Sequence, residues 1–210
     1  AGIDDAASVT EFQRCQAGVQ VTFTPRGARA FVAAPMTDVA RQVVGLPDLG
    51  VTSATVERLA AAGDWRARFD VVVDLLVRRL GRARPPSDLV LWATARIDAR
   101  AGAVRIDELA RELGYSRKHL HACFLRDVGL GPKRYAEVRR FEHLHRRLRA
   151  GGPDLADLAV ELGYADQAHL ARDARRFAGM TTTALQRALT DPLASAAHEL
   201  TAGVVSAAPA

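Results

Sequence analysis

Lysine is almost missing from this chain: of its 29 basic residues, only Lys118 and Lys133 are lysines. Cysteine is equally sparse, with Cys15 and Cys123 far apart, which is no disulfide framework and fits a reducing compartment. No apolar run approaches the roughly 18 residues a membrane span needs, and no secretory signal pattern precedes the first structured segment. A cytoplasmic protein without membrane contact is expected. Histidine pairs occur at His119/His121 and His143/His145, but an i, i+2 spacing puts the two side chains on different sides of a helix. No cysteine or carboxylate cluster completes either pair. No metal, cofactor or catalytic constellation is expected, and the chain is read as a non-enzyme.

What remains is an ordinary globular composition, 49% hydrophobic and 25% charged. The net charge of +5 is unevenly placed. Residues 1–103 carry 13 basic and 11 acidic groups, whereas residues 104–190 carry 16 and 11. The second region suits a polyanionic partner.

From Gln16, "QAGVQVTFTPRG" alternates through Val19, Val21 and Phe23 and ends at Pro25 and Gly27, the pattern of a strand and turn. One or two short helices are expected after it, broken near Pro35, with Asp38 as an N-cap. A lone strand cannot bury its own edges, so residues 1–50 are expected to be the remnant of an α+β domain. Residues 51–103 turn helical. Val56, Leu59 and Ala60 recur at helical spacing, then Phe69, Val72, Val73, Leu76, Val77 and Leu80, and a further helix starts at Ser87 or Asp88. This stretch is read as a helical linker. Residues 191–210 have too few large apolar side chains to pack and are expected to form a flexible tail.

The informative feature is a repeat. "IDELARELGYSRKHLHACFLRDVGL" from Ile106 and "LADLAVELGYADQAHLARDARRFAGM" from Leu155 share "ELGY". Leu109, Ala110, Leu113, Gly114 and Tyr115 match Leu158, Ala159, Leu162, Gly163 and Tyr164 at an offset of 49. His119, Leu120, Arg126 and Gly129 match His169, Leu170, Arg176 and Gly179 at an offset of 50. The extra residue belongs in a turn, because loops absorb insertions and helices do not. Each unit is therefore expected to be helix, glycine-closed turn, helix, with Ser116 and Asp166 as N-caps. Between the units, Tyr135, Val138, Phe141, Leu144 and Leu148 mark one long connecting helix that starts at Pro132. Its polar side carries Lys133, Arg134, Arg139, Arg140, Arg146, Arg147 and Arg149.

On these residues, "ELARELGYSRKHL", "VGLGPKRY", the connecting helix and "LADLAVELGYADQAHL", residues 104–189 resemble the DNA-binding domain of the AraC/XylS family of transcription regulators. The resemblance implies a mainly α fold and two recognition helices that enter successive major-groove segments of one duplex. It also implies a promoter or operator as partner, RNA polymerase as a further one, and an effector that the sequence does not identify. The segments "AGVQVTFTPRGARAFVAAP" and "RQVVGLPDLG" resemble the end of a sensor-like domain, so the chain is expected to begin inside that domain.

Side chains that the packing stripe leaves free are the expected DNA contacts. Arg172 suits guanine and Gln167 adenine. Lys118 and His121 can reach base edges or phosphates, and Ser116 and Arg117, at a helix start, favour phosphate. The second unit departs from the family pattern. Ala174 stands where a phenylalanine is expected, as Phe124 does in the first unit, and Asp173 brings a negative charge to the inner side. A looser second core is expected, with the first unit dominating affinity. Two other readings remain open: a thiol-dependent DNA-repair protein using this module, with Cys15 as its thiol, and a degenerate partner-binding protein.

Overall fold

The computed structural model describes residues 6, 18–82, 86–151 and 154–190, and among them every regular element is helical. The order is α1 (Pro25–Val32), a 3₁₀ turn (Met36–Asp38), α2 (Ser53–Ala61), α3 (Trp65–Leu80), α4 (Asp88–Ala99), α5 (Ile106–Glu112), α6 (Arg117–Val128), α7 (Pro132–Arg149), α8 (Leu155–Glu161), α9 (Gln167–Ala178) and α10 (Thr182–Thr190). The fold is mainly α, as expected. The α+β remnant is not found among the described residues. Residues 18–24 run without secondary structure, Gln16 and Ala17 lie outside the described residues, and the expected turn at Pro25 is a helix start. The reason is local. Pro25 is preorganised for a first helical turn, and the Thr24 hydroxyl accepts the Gly27 N–H at 3.1 Å, so capping chemistry outweighs an unpartnered alternating pattern. Asp38 caps no helix; it ends the 3₁₀ turn. The flexible tail expected at residues 191–210 lies outside the described residues, as do Cys15, Gly152 and Pro153.

The apolar residues of α3 share a face, but mostly not a buried one. Val71 is the buried residue of the helix, while Phe69, Val73, Val77 and Leu80 are exposed. The inward side is fixed instead by Arg79, whose guanidinium donates to the carbonyls of Phe31 and Leu49 and lies over the Phe31 ring.

Two cores sit in the second half of the chain. The first joins Val90, Ala93 and Ile97 of α4, Leu109 and Ala110 of α5, Leu120, Cys123, Phe124 and Val128 of α6, and Tyr135 and Ala136 of α7. The second joins Leu144 and Leu148 of α7 to Leu158, Ala159, Leu162, Tyr164, Leu170 and Leu185. The connecting helix α7 thus gives its first half to one core and its second half to the other. Its 18 residues span about 27 Å. One rigid rod therefore fixes both cores.

Upstream, α1 and the 3₁₀ turn pack against α6. Asp127, at the end of α6, is buried and accepts hydrogen bonds from the Ser87 N–H (3.1 Å), the Ser87 hydroxyl (3.0 Å) and the Arg126 Nε (2.8 Å). The Arg29 guanidinium of α1 lies 3.8 Å from the same carboxylate. Burial opposes the charge on Asp127, but Arg126 and Ser87 outweigh it and hold the carboxyl below its ordinary range.

Candidate nucleic-acid interface

Both units close their first helix in the same way. Gly114 and Gly163 adopt φ of +71° and +70°, conformations that cost a side-chain-bearing residue energy. After them, the Tyr115 N–H donates to the Ala110 carbonyl at 3.0 Å and the Tyr164 N–H to the Ala159 carbonyl at 2.8 Å. The next helix is then capped by a side chain. The Ser116 hydroxyl accepts the His119 N–H at 3.1 Å, and the Asp166 carboxylate accepts the His169 N–H at 2.6 Å. Ala165 is the extra residue of the second turn, where the change of offset located it. Gly129 and Gly179 end α6 and α9 with φ of +86° and +70°.

The expected contact residues lie on the outward side of these two helices. Ser116, Arg117, Lys118 and His121 of the first unit and Gln167 and Arg172 of the second are all exposed. Their surroundings differ. Ser116 spends its hydroxyl oxygen on the helix cap. Arg117 is held by Asp107 of α5 at 2.7 Å, an exposed pair of the kind worth about 0.2–1 kcal/mol, so it opens at little cost to a phosphate. The His121 imidazole lies against Gly131, where a Cβ would stand 2.6 Å from the ring. Lys118 and Arg172 have no ion-pair partner among the described residues and are the least committed cations of the set.

The basic side of α7 is mostly committed to structure. Arg134 pairs with Glu137, Arg139 with Asp98 at 2.7 Å and with Glu142, and Arg147 with Glu161 at 2.8 Å. Arg140 donates to the Gly102 carbonyl at 3.2 Å and lies over the Tyr164 ring. Sequence alone shows these arginines as one positive side; the acidic partners come from other turns of α7 and from α4 and α8.

His119 and His169 each sit against the tyrosine of their own unit. His119 stacks on Tyr115 and its Nε2 lies 3.6 Å from Cys123 Sγ. His169 meets Tyr164 edge-on and its Nε2 lies 3.9 Å from Asp173. No group of three or more metal-ligating side chains occurs among the described residues.

The second unit replaces Phe124 with Ala174, which is fully buried, and recovers aromatic volume elsewhere. Tyr164 is 5% exposed, whereas its counterpart Tyr115 is 49% exposed. The exchange leaves polar atoms behind. The Tyr164 hydroxyl and Asp173 Oδ2 are buried with no hydrogen-bond partner. Burial raises the Asp173 carboxyl above its ordinary range. Sequence reasoning placed Asp173 inward but did not find the inward turn of Tyr164. It also missed Arg175, which lies on the same side of α9 as Gln167 and lines a surface depression with it.

A glycine-closed turn feeding a capped, outward-facing helix defines a helix-turn-helix protein. Residues 109–188 match the family model of a helix-turn-helix domain, of the AraC type. The match supports a helix-turn-helix module of the AraC type in this part of the chain. No curated protein and no solved structure matches the chain. No helix among the described residues is long and apolar enough to cross a membrane.

Proposed function

We propose that the chain is a sequence-specific transcription regulator in which residues 104–190 read one duplex with two recognition helices, α6 and α9. The observation that carries this reading is α7: a single helix is built into both cores, so the two outward helices are held at a fixed separation. A fixed separation is of use only against a partner that repeats, and the major groove repeats every ~34–36 Å. Lys118, His121, Gln167 and Arg172 are the base-edge and groove contacts in this reading, and Ser116 and Arg117 contact phosphate. The promoter or operator is the partner. RNA polymerase and an effector acting through the upstream region complete the regulator.

The test is selection of the full chain against randomised duplex DNA at two salt concentrations, with sequencing of the bound pool. Two enriched boxes about one helical turn apart, with a steep salt dependence, are expected. Enrichment of a single box would remove α9 from base reading. Salt-dependent binding without enrichment would remove sequence specificity altogether. The thiol-dependent repair reading rests on Cys15, which lies outside the described residues; Cys123 is a buried core side chain.

A further inference from the structure

The helix α3 carries most of its large apolar side chains outward. Its inward side is fixed by buried Val71 and by Arg79, which reaches back to the carbonyls of Phe31 and Leu49. Trp65, Phe69, Val73 and Val77 then fall at successive i, i+4 steps, a spacing that stacks side chains into one row along a helix, and Leu80 extends it. All five are exposed, Val73 and Val77 at 55% and 66%. The Trp65 and Phe69 rings already touch within the row, with centroids 6.4 Å apart.

The row presents on the order of 500 Å² of contiguous apolar surface, the upper end of what a soluble monomer leaves in water. A stable interface buries about 800 Å² per partner, and about 65% of that is apolar where two like chains meet. The row alone meets that apolar share.

We propose that this row is the contact between two copies of the chain, paired antiparallel across a two-fold axis that passes between Phe69 and Val73. The row is graded, with aromatic side chains in its first half and valines after them. Antiparallel pairing sets Trp65 of one copy against Val77 of the other, and Phe69 against Val73. Large then meets small at each step, which is how close packing is reached. Parallel pairing would crowd Trp65 on Trp65 and leave valine facing valine. Charge selects the same sense. Arg66, Asp70 and Asp74 follow one another at i, i+4 and i+8 along one flank of the row. Asp74 is held by Arg58 and Arg78 of its own chain, whereas Arg66 and Asp70 have no ion-pair partner among the described residues. A two-fold axis turns this flank toward its own copy in reverse order, so Arg66 of each chain comes opposite the acidic pair of the other.

The experiment is analytical ultracentrifugation of the full chain without DNA, from about 1 μM to about 100 μM. The wild type is expected to pass from monomer to dimer with a Kd of about 10 μM, in keeping with an interface of modest size. The double variant Val73→Lys, Val77→Lys sets ammonium groups into the paired row and is expected to stay monomeric throughout. Both valines are exposed within a single chain, so at about 1 μM its urea midpoint should match that of the wild type. Arg66→Glu turns two symmetry-related attractive pairs into repulsive ones and should weaken the dimer about fivefold. A wild type that stays monomeric over the whole range would overturn the pairing. A dimer that survives the two lysines would overturn the choice of face, and a dimer indifferent to Arg66→Glu would overturn the antiparallel sense.

Discussion

Replacing Asp173 by cysteine, the residue found at the matching position of the first unit, should make the protein more stable at neutral pH. The Asp173 side chain is buried on the inner side of α9, and its Oδ2 has no hydrogen-bond partner. The nearest cationic group is His169, 3.9 Å away and charged only when protonated. Burial raises the Asp173 carboxyl, His169 and Arg140 pull it back, and Glu137 adds to the rise. The native side chain therefore holds its proton more tightly than the unfolded chain does. Stability from this group is fully present below the unfolded value near 3.8 and is lost as pH rises through the higher native value. A buried, unsatisfied polar group costs about 1–3 kcal/mol. Part of that is offset by His169, which puts the gain for Asp173→Cys at about 1–2 kcal/mol at pH 7.5. For a chain of this size the corresponding rise in Tm is about 2–8 °C. Urea unfolding at pH 7.5 and pH 4.5 measures it, and the gain should be smaller at the lower pH. Asp173→Asn, which cannot titrate, should show the same loss of pH dependence. A variant that is destabilised at pH 7.5, or a gain that is equal at both pH values, would refute the reasoning.

Four further variants have expected outcomes. Gly102 has φ of +80°, and a Cβ there would lie 2.1 Å from the Ala136 carbonyl oxygen and 2.8 Å from the Arg140 nitrogen, both backbone atoms of α7; Gly102→Ala should cost more than about 3 kcal/mol in urea unfolding. Gly114→Ala meets nothing within 4 Å and should cost only the left-handed penalty of about 1–2 kcal/mol. Asp127→Asn should cost about 3 kcal/mol at pH 7, since it breaks a buried, multiply bonded charge. The native Asp127 pKa is depressed, so that contribution exists above the ordinary value near 3.8 and the gap to the wild type should close as pH falls below it. Lys118→Ala should leave unfolding within about 0.5 kcal/mol of the wild type and reduce the salt slope of DNA binding by about 1.

The helix-turn-helix part was legible because its signals are local. Gly114 and Gly163 need a left-handed backbone, Ser116 and Asp166 need only the next turn of the chain, and the core residues Leu120, Cys123, Phe124 and Val128 recur at one helix's spacing. Where the chain fixed structure through distant partners, sequence fell short. The alternation of Val19, Val21 and Phe23 describes which side chains share a side, but not whether a neighbouring strand exists to pair with. The α3 periodicity found the helix and missed its buried side, because that side is set by Arg79 reaching the carbonyls of Phe31 and Leu49, residues 30 to 48 positions away. The α7 arginines looked like a continuous basic side because their partners Asp98 and Glu161 belong to other helices. Of the contact residues, exposure was predictable from the packing stripe. The ties of Arg117 to Asp107 and of His121 to Gly131 were not.

Asp127 is where the upstream region and α6 meet. It is the last-turn residue of α6, it receives the Ser87 N–H and hydroxyl from the start of α4, and Arg29 of α1 approaches it at 3.8 Å. The exposed residues Arg117, Lys118 and His121, which we propose as DNA contacts, lie in the first half of the same helix. Packing α1 and the 3₁₀ turn against α6 therefore leaves that end exposed while tying the other end to residues before the helix-turn-helix. A helix cannot turn at one end and stay fixed at the other, since its backbone hydrogen bonds make it a rigid rod over 12 residues. Arg29 and Ser87 are therefore tied, through Asp127, to the same 12-residue helix that carries Lys118.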